Sequence, residues 1–413
     1  MTTAGSARNA GGANAVPELS TVDHLAQLIA FDTTSARSNL ALIDYVERHL
    51  ACHGVDCRRV ANAQGDKANL YATIGPAQRR GVMLSGHTDT VPVAGQTWQY
   101  DPYALTACGE RLYGRGTADM KGFLASVLAA VPAMAAADLS VPINLAFSYD
   151  EEVGCLGVRG LIADMAQYPQ RPVACVVGEP TSMRVCCAHK GKLAARVRVR
   201  GKACHSGMAL EGVNAIHAAA RLIGWIEQAA AGRAKAGPFD ERFGIPHTTL
   251  QVGTVEGGAA LNIVPAHCQF DFEIRNVPAE DPQRILQQFL EFAAALEAEL
   301  RQGHADACIE VERLSSYPGL SSSQDSALVA FVMALLDDAA IERIGFGTEG
   351  GLFQGELGIP TLVCGPGSMA QGHRPDEFVT GEQLERCDAF LQRLIAGLEQ
   401  PGVGERLADG GVS

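Results

Sequence analysis

A chain of 413 residues exceeds what one ordinary core accommodates, so two domains are expected. Its net charge of −13 argues against nucleic acid or an anionic membrane surface as partner, and its 47% hydrophobic content suits a soluble globular protein. Twelve cysteines are scattered without a Cys-x-x-Cys pair, a pattern of reduced, buried thiols rather than of a disulfide framework or structural zinc site.

The first residues, MTTAGSARNAGGANAVPELS, lack a continuous apolar run and read as a frayed tail, not a signal peptide. The most apolar region, Ala125 to Phe147, is interrupted by Pro132, Asp138 and Pro142, so no membrane span is expected and the expected compartment is the cytoplasm. Helical spacing covers Thr21 to Ala30 and Asn39 to Gly54, with Ser38 or Asn39 as N-cap of the second. Lys67 to Pro76 alternates and stops at Gly-Pro as a strand; Gly81 to Leu84, Val141 to Ser148 and Val173 to Val177 are further apolar strands. Alternation of strands with helices predicts an α/β domain around a central sheet.

From about Lys190 the character changes. Leu193 to Arg200 alternates apolar and basic residues, and a helix follows from Asn214 to Gln228. Strands at Thr248 to Val255 and Ile263 to Arg275, a helix at Pro282 to Arg301 and a strand at Cys308 to Leu314 complete β-α-β-β-α-β. That order describes a ferredoxin-like α+β layer inserted at roughly 190–316. Helix Ser326 to Ala339, strand Thr361 to Cys364 and helix Thr380 to Leu398 return to the first domain. The expected division is a tail at 1–17, a catalytic domain at 18–189 and 317–400 around the insertion at 190–316, and a flexible tail at 401–413.

The chemistry-bearing residues sit where strands end. His87 follows Gly81-Val-Met-Leu84 and has Asp89 two residues on, where a carboxylate can orient its ring. Asp119 stands in a glycine-punctuated loop before an Ala-rich helix. The strand ending at Ser148 delivers Asp150-Glu151-Glu152, and the next delivers Glu179 after Gly178. Three successive acids repel one another unless a cation or solvent relieves them, and in open α/β sheets ligands bind beyond the strand ends. His373 follows a second glycine-rich loop. Two histidines with carboxylates and no thiolate suit two ions of Zn²⁺, Co²⁺ or Mn²⁺, one carboxylate bridging them, with Glu151 spare to move a proton.

In order, GHTDTVP, LYGRGTADMKG, SYDEEVGCLG, GEPT and GHRPDEF resemble the motifs of the co-catalytic zinc aminoacylase/carboxypeptidase family. IAFDTTSARSN, KANLYATIGP, GKACHS, GVNAI, DFEIRNVP and TEGGLFQ extend the likeness over 20–398. The resemblance implies a mixed-sheet zinc-peptidase-like catalytic domain. It implies His87 and Glu179 on one zinc, Glu152 and His373 on the other, and Asp119 bridging, with a cis peptide after Asp119. Asp89 would orient His87, and Glu151 would be the general acid/base acting on a metal-bridging water.

The inserted layer would be a lid and homodimerisation domain, with His205 reaching the partner subunit's site to stabilise the developing oxyanion. Asn262 and Arg275 would bind the substrate's carbonyl region and carboxylate, and Glu349 would meet a cationic substrate side chain. The implied reaction is deacylation of a small-molecule N-acyl amino acid, N2-acetyl-L-ornithine first, in arginine synthesis. N-succinyl-diaminopimelate, other N-acyl amino acids and dipeptides are the alternatives within the family, and a catalytically dead metal-binding scaffold is the alternative outside it. Ser206-Gly-Met-Ala-Leu210 departs from the family's Ser-Ser-x-x-Pro beside the lid histidine, whereas His189 and His217 read as structural.

Overall fold

The computed structural model describes residues 18–337, 340–341 and 343–409, so the tail expected at 1–17 lies outside the described residues. Six strands form the central sheet in the order β1, β2, β6, β3, β7, β14. They are β1 (Cys57–Ala61), β2 (Ala68–Ile74), β3 (Val82–His87), β6 (Ile143–Ser148), β7 (Ala174–Val177) and β14 (Thr361–Val363). β6, β3, β7 and β14 run parallel, and β1 and β2 add antiparallel edges. Every residue of β3, β6, β7 and β14 is buried, as parallel strands covered on both faces require.

Alternation along those strands divides the core. Val82, Leu84, Ile143, Leu145 and Phe147 face one side, against α1 (Thr21–Ile29), α2 (Leu40–Cys52), α3 (Gly122–Ala136), α7 (Ala327–Ala334) and α9 (Gly381–Leu398). Met83, Ala146 and Cys175 face the other, against α4 (Val158–Met165) and α8 (Gly350–Leu357). The stretch Thr117–Ala136 is long and apolar enough to cross a membrane, but 72% of its most apolar window is buried inside the protein.

The insertion is a separate layer. β9 (Gly191–Arg200), α5 (Ala215–Ala236), β10 (Thr249–Gly257), β11 (His267–Asn276), α6 (Pro282–Gly303) and β12 (Cys308–Tyr317) follow the expected order, and the sheet runs β10, β11, β9, β12, all antiparallel. Its inward residues, among them Leu193, Val197, Phe270, Phe272 and Phe289, form a core of their own under the two helices. On the other face Arg196 grips Asp271 through two 2.8 Å bonds. Two small pairings finish the fold: β4 (Thr106–Cys108) and β5 (Arg111–Tyr113) with β15 (Phe378–Thr380), and β8 (Ala188–His189) with β13 (Leu320–Ser321). None of the twelve cysteines is disulfide-bonded.

Some local expectations change. Asn39 occupies the N-cap position of α2, but its side chain bonds the backbone of Ala68 and the hydroxyl of Thr88, and Ser38 Oγ accepts from Leu40 N at 3.2 Å instead. Ile263 lies outside β11 in an isolated bridge to His205. The segment expected as a flexible tail from 401 contains α10 (Val403–Asp409), with Val403 and Leu407 only 1% and 2% exposed. Two apolar side chains one turn apart suffice to dock a short polar helix on an existing core. Leu407→Asp should therefore cost on the order of 2–4 kcal/mol. A denaturant midpoint equal to that of the wild type would return this segment to a free tail.

Candidate active site

The parallel strands bring their carboxyl ends to one edge of the sheet, and each delivers a candidate ligand there. His87 ends β3, 1% exposed, and its Nδ1 donates to the backbone carbonyl of Asp89 at 2.9 Å. A carbonyl only accepts, so the proton sits on Nδ1 and Nε2 presents its lone pair to the site. The Asp89 carboxylate lies 3.5 Å from the same nitrogen. It also accepts from Ser35 Oγ at 2.7 Å and from the backbone N–H groups of Glu151 and Glu152 at 3.1 and 3.3 Å. Asp89 thus orients the histidine and clamps the acidic loop after β6.

Asp119 divides its two oxygens. Oδ1 is 3.0 Å from His87 Nε2, and Oδ2 is 3.0 Å from His373 Nε2. His87 Nε2 is also 3.5 Å from Glu179 Oε1, and His373 Nε2 is 3.0 Å from Glu152 Oε2. The five expected ligands therefore form one chain, Glu179–His87–Asp119–His373–Glu152, with the aspartate at its centre. The Asp119–Met120 peptide is cis. Glycine permits the crowding: a Cβ on Gly365 would stand 2.0 Å from the carbonyl oxygen of Gly178, the residue before Glu179.

A second layer holds Asp119. The Glu377 carboxylate accepts from the N–H groups of Ala118 and Asp119 at 3.0 and 3.1 Å and pairs with Arg115 Nη1 at 2.5 Å; both side chains of that pair are 1% exposed. Arg115 also donates to Gln96 Oε1 at 2.6 Å, and Gln96 Nε2 donates to the His373 carbonyl at 3.2 Å. Asp119 and His373 hang from one buried network. Glu377 stands in GHRPDEF itself, and Arg115 in LYGRGTADMKG; the reading of those motifs stopped at the ligands.

Charge is concentrated here. Burial pushes Glu151 up to about 8, with Glu152, Glu349 and Asp89 adding to it against the opposing pull of His87. Burial and Asp119 push Glu152 up to about 7, and burial holds Glu179 well above the usual carboxylate range. His373 is pushed up to about 10 by its bonds to Asp119 and Glu152. Burial would lower His87, but Asp119, Asp89 and Glu179 outweigh it and raise it. Glu151 is held by the Cys155 thiol, 3.2 Å from Oε1.

Beyond these groups opens a cavity of about 180 Å³ with acidic and basic walls. Asp119, Glu151, Glu152, Glu179 and His373 line one side; Lys192, Arg275 and Tyr317 of the inserted layer line the other. Those three are cross-strand partners on β9, β11 and β12. Arg275 donates to Tyr317 Oη at 3.1 Å and lies 3.3 Å from Glu273, which is 3.9 Å from Lys192 Nζ. Arg275 was expected at the site. Lys192 and Tyr317 were not, because alternation alone assigns a side chain to a face without saying what the face looks upon.

Three expected residues are not brought into this cavity. His205 and Asn262 lie on the exposed far part of the inserted layer, joined by the His205–Ile263 bridge and the Ser206 N to Asn262 O bond of 3.1 Å. Glu349 is 1% exposed, accepting from Ser148 Oγ and, at 3.3 Å, from Ser85 Oγ, a buried position at the strand ends rather than on the cavity wall. As the residue before α8, it is turned inward between two strand-end serines. His189 is buried between the Lys190 carbonyl and Thr348 and is structural, as read.

The model of peptidase family M20/M25/M40 matches residues 83–397. Acetylornithine deacetylase of Myxococcus xanthus is 36% identical over 90% of this chain and 96% of its own length. That of Pasteurella multocida is 35% identical over 89% and 95%. Among solved structures, an M20 family metallo-carboxypeptidase of Sulfolobus solfataricus superposes with a TM-score of 0.72 at 17% identity, covering 92% of this chain and 99% of that one. A Bacillus subtilis protein described as a dinuclear metal binding peptidase of the M20 family gives 0.64 at 15%, covering 92% and 98%. Fold, ligand geometry and sequence agree that the chain belongs to peptidase family M20/M25/M40 and is a hydrolase acting on amides.

Proposed function

We propose that this site holds two divalent cations and hydrolyses N2-acetyl-L-ornithine to L-ornithine and acetate, a step of arginine synthesis. The observation that carries the two-metal reading is Asp119, whose oxygens face different histidines 3.0 Å away. The residues fit the cations: His87, Glu151 and Glu179, and again His87, Asp119 and Glu152, each offer ligand atoms within 4.8 Å of one another. Nitrogen and oxygen donors without sulfur favour Zn²⁺, with Co²⁺ or Mn²⁺ as substitutes. His87 and Glu179 would hold one ion, Glu152 and His373 the other, and Asp119 both. When bound, the cations supply Lewis acidity to the scissile carbonyl and offset the charge of the crowded carboxylates.

Glu151 does the proton work. It is not needed as a ligand, it faces the cavity, and its carboxyl is pushed up to about 8 by burial. It takes a proton from the attacking water and gives it to the departing amine. Arg275, Lys192 and the Tyr317 hydroxyl receive the α-carboxylate and so set the acyl amide over the acidic wall. His205 completes the oxyanion site from a partner subunit in a homodimer formed through the inserted layer, with Asn262 beside it, and the layer acts as a lid. The activity of the acetylornithine deacetylases to which the chain is similar, and the acidic wall facing basic groups, support the substrate class; the cytoplasm is the proposed compartment.

The test of the substrate is the specificity constant on N2-acetylornithine beside N-acetylmethionine, N-succinyl-diaminopimelate and a dipeptide, each with and without chelator. A chelator-sensitive preference for acetylornithine is expected; preference for another substrate would overturn the pathway and leave the chemistry. Glu151→Gln should keep its metal and lose at least about a hundredfold in kcat. Activity within about tenfold of wild type would remove Glu151 from its role.

Glu377→Gln tests the layer behind Asp119. Loss of the charge that grips two N–H groups and Arg115 should weaken metal affinity or kcat about 10–100-fold in a folded protein, and shift the visible absorption of the Co²⁺ form. Unchanged affinity, rate and spectrum would show that the network does not position the bridge.

A further inference from the structure

A second cavity, of about 130 Å³, opens at the other end of the central sheet. Its floor is Tyr71 and Thr73 of β2 and Asn144 of β6, with Thr73 and Asn144 paired across the strands. Asn144 lies four residues before Ser148, so the floor is roughly 13 Å along β6 from the end that carries the acidic loop. Three arginines also line it: Arg58, Arg79 and Arg171.

This lining is built rather than incidental. Arg58 is held between two aromatic faces, 5.3 Å from the Tyr71 centroid and 4.5 Å from that of Tyr168, and pairs with Asp164. Arg79 spends one donor on the Ser140 carbonyl at 2.7 Å, leaving most of its fork available. Two buried polar atoms at the cavity have no protein partner: Arg58 Nε, a donor, and Asn144 Oδ1, an acceptor. Asn144 is 3% exposed, and its amide nitrogen is committed to Thr73 Oγ at 3.0 Å. Native structures rarely leave buried polar atoms unmatched.

We propose that this cavity binds a small oxyanion that carries its own hydrogen-bond donor, such as an α-hydroxy or α-amino carboxylate or hydrogen phosphate. The oxyanion meets the arginines, whose planar forks suit carboxylate and phosphate, and the donor meets Asn144 Oδ1. A convergence of three arginines on one cavity is the more telling in a chain of net charge −13. The requirement for a donor separates ligands of equal size: hydrogen phosphate satisfies Asn144, whereas sulfate, with no proton at neutral pH, leaves it unpaired.

The experiment is calorimetric titration of the metal-loaded enzyme at pH 7 with inorganic phosphate, sulfate, L-lactate, acetate and glycine, at constant ionic strength set by chloride. Phosphate is expected to bind more tightly than sulfate, and lactate or glycine more tightly than acetate; the tighter of the two families identifies the source. R58Q/R171Q should weaken that binding at least tenfold, and R171Q alone, at a rim position, serves if the double variant fails to fold. Arg275→Met, at the other cavity, should leave it unchanged. Absence of saturable binding above the chloride background would overturn the proposal. So would binding insensitive to the arginine variants, or sulfate equal to phosphate, which would leave Asn144 to ordered water.

Discussion

Mutual repulsion among Asp119, Glu151, Glu152 and Glu179, gathered with two histidines at the ends of parallel strands, is the constraint on which the site depends. Like charges about 4 Å apart near a protein surface oppose one another by about 4 kcal/mol. Burial and neighbouring acids push Glu152 and Glu179 up, and bonds to Asp119 and Glu152 push His373 up, so the crowding favours proton uptake. A bound cation replaces those protons with a charge that the same ligands share. The parallel sheet makes the convergence possible, because each strand delivers its loop to one edge.

Rigidity comes from behind. Asp89 holds His87 and the N–H groups of the acidic loop, and Glu377 with Arg115 holds the backbone of Asp119. The fully buried Lys121 donates to the Leu28 and Phe31 carbonyls at 3.0 and 2.8 Å, tying the loop to the end of α1. An ion pair as enclosed as Arg115–Glu377 adds little net stability, since desolvation offsets its attraction. Its contribution is geometric: it holds the backbone from which the Asp119 carboxylate projects. The inserted layer supplies the opposite wall, with Lys192, Arg275 and Tyr317 facing the acidic groups across the cavity.

Much of this was legible in the sequence because ligands in strand-end loops leave a local signature: an apolar run, a glycine and then an acid or histidine. His87 and Glu179 carry that signature, His373 follows a glycine-rich loop, Glu152 ends a run of three acids and Asp119 sits in a glycine-punctuated loop, while the β-α-β-β-α-β insertion is written in its periodicity. Glu349 carried no such signal, since its direction depends on where α8 packs and on serines 201 and 264 positions away. Lys192 and Tyr317 are illegible for a related reason. Their face of the layer is defined by what the layer is docked against, a long-range fact. Helix α10 was missed because two apolar residues among polar ones show no period until a core exists to receive them.

Two cation sites joined by Asp119 must shed protons from their ligands as metal binds. Calorimetric titration of the metal-free protein with Zn²⁺, in buffers of different ionisation enthalpy, tests this most directly. Ligand histidines must be neutral and ligand carboxylates ionised, and His373 and Glu152 are pushed up to about 10 and about 7. Two ions per chain should therefore bind with release of protons near pH 7, and binding should tighten as pH rises and weaken as it falls. Binding of a single ion, or of two with no proton release, would contradict the account.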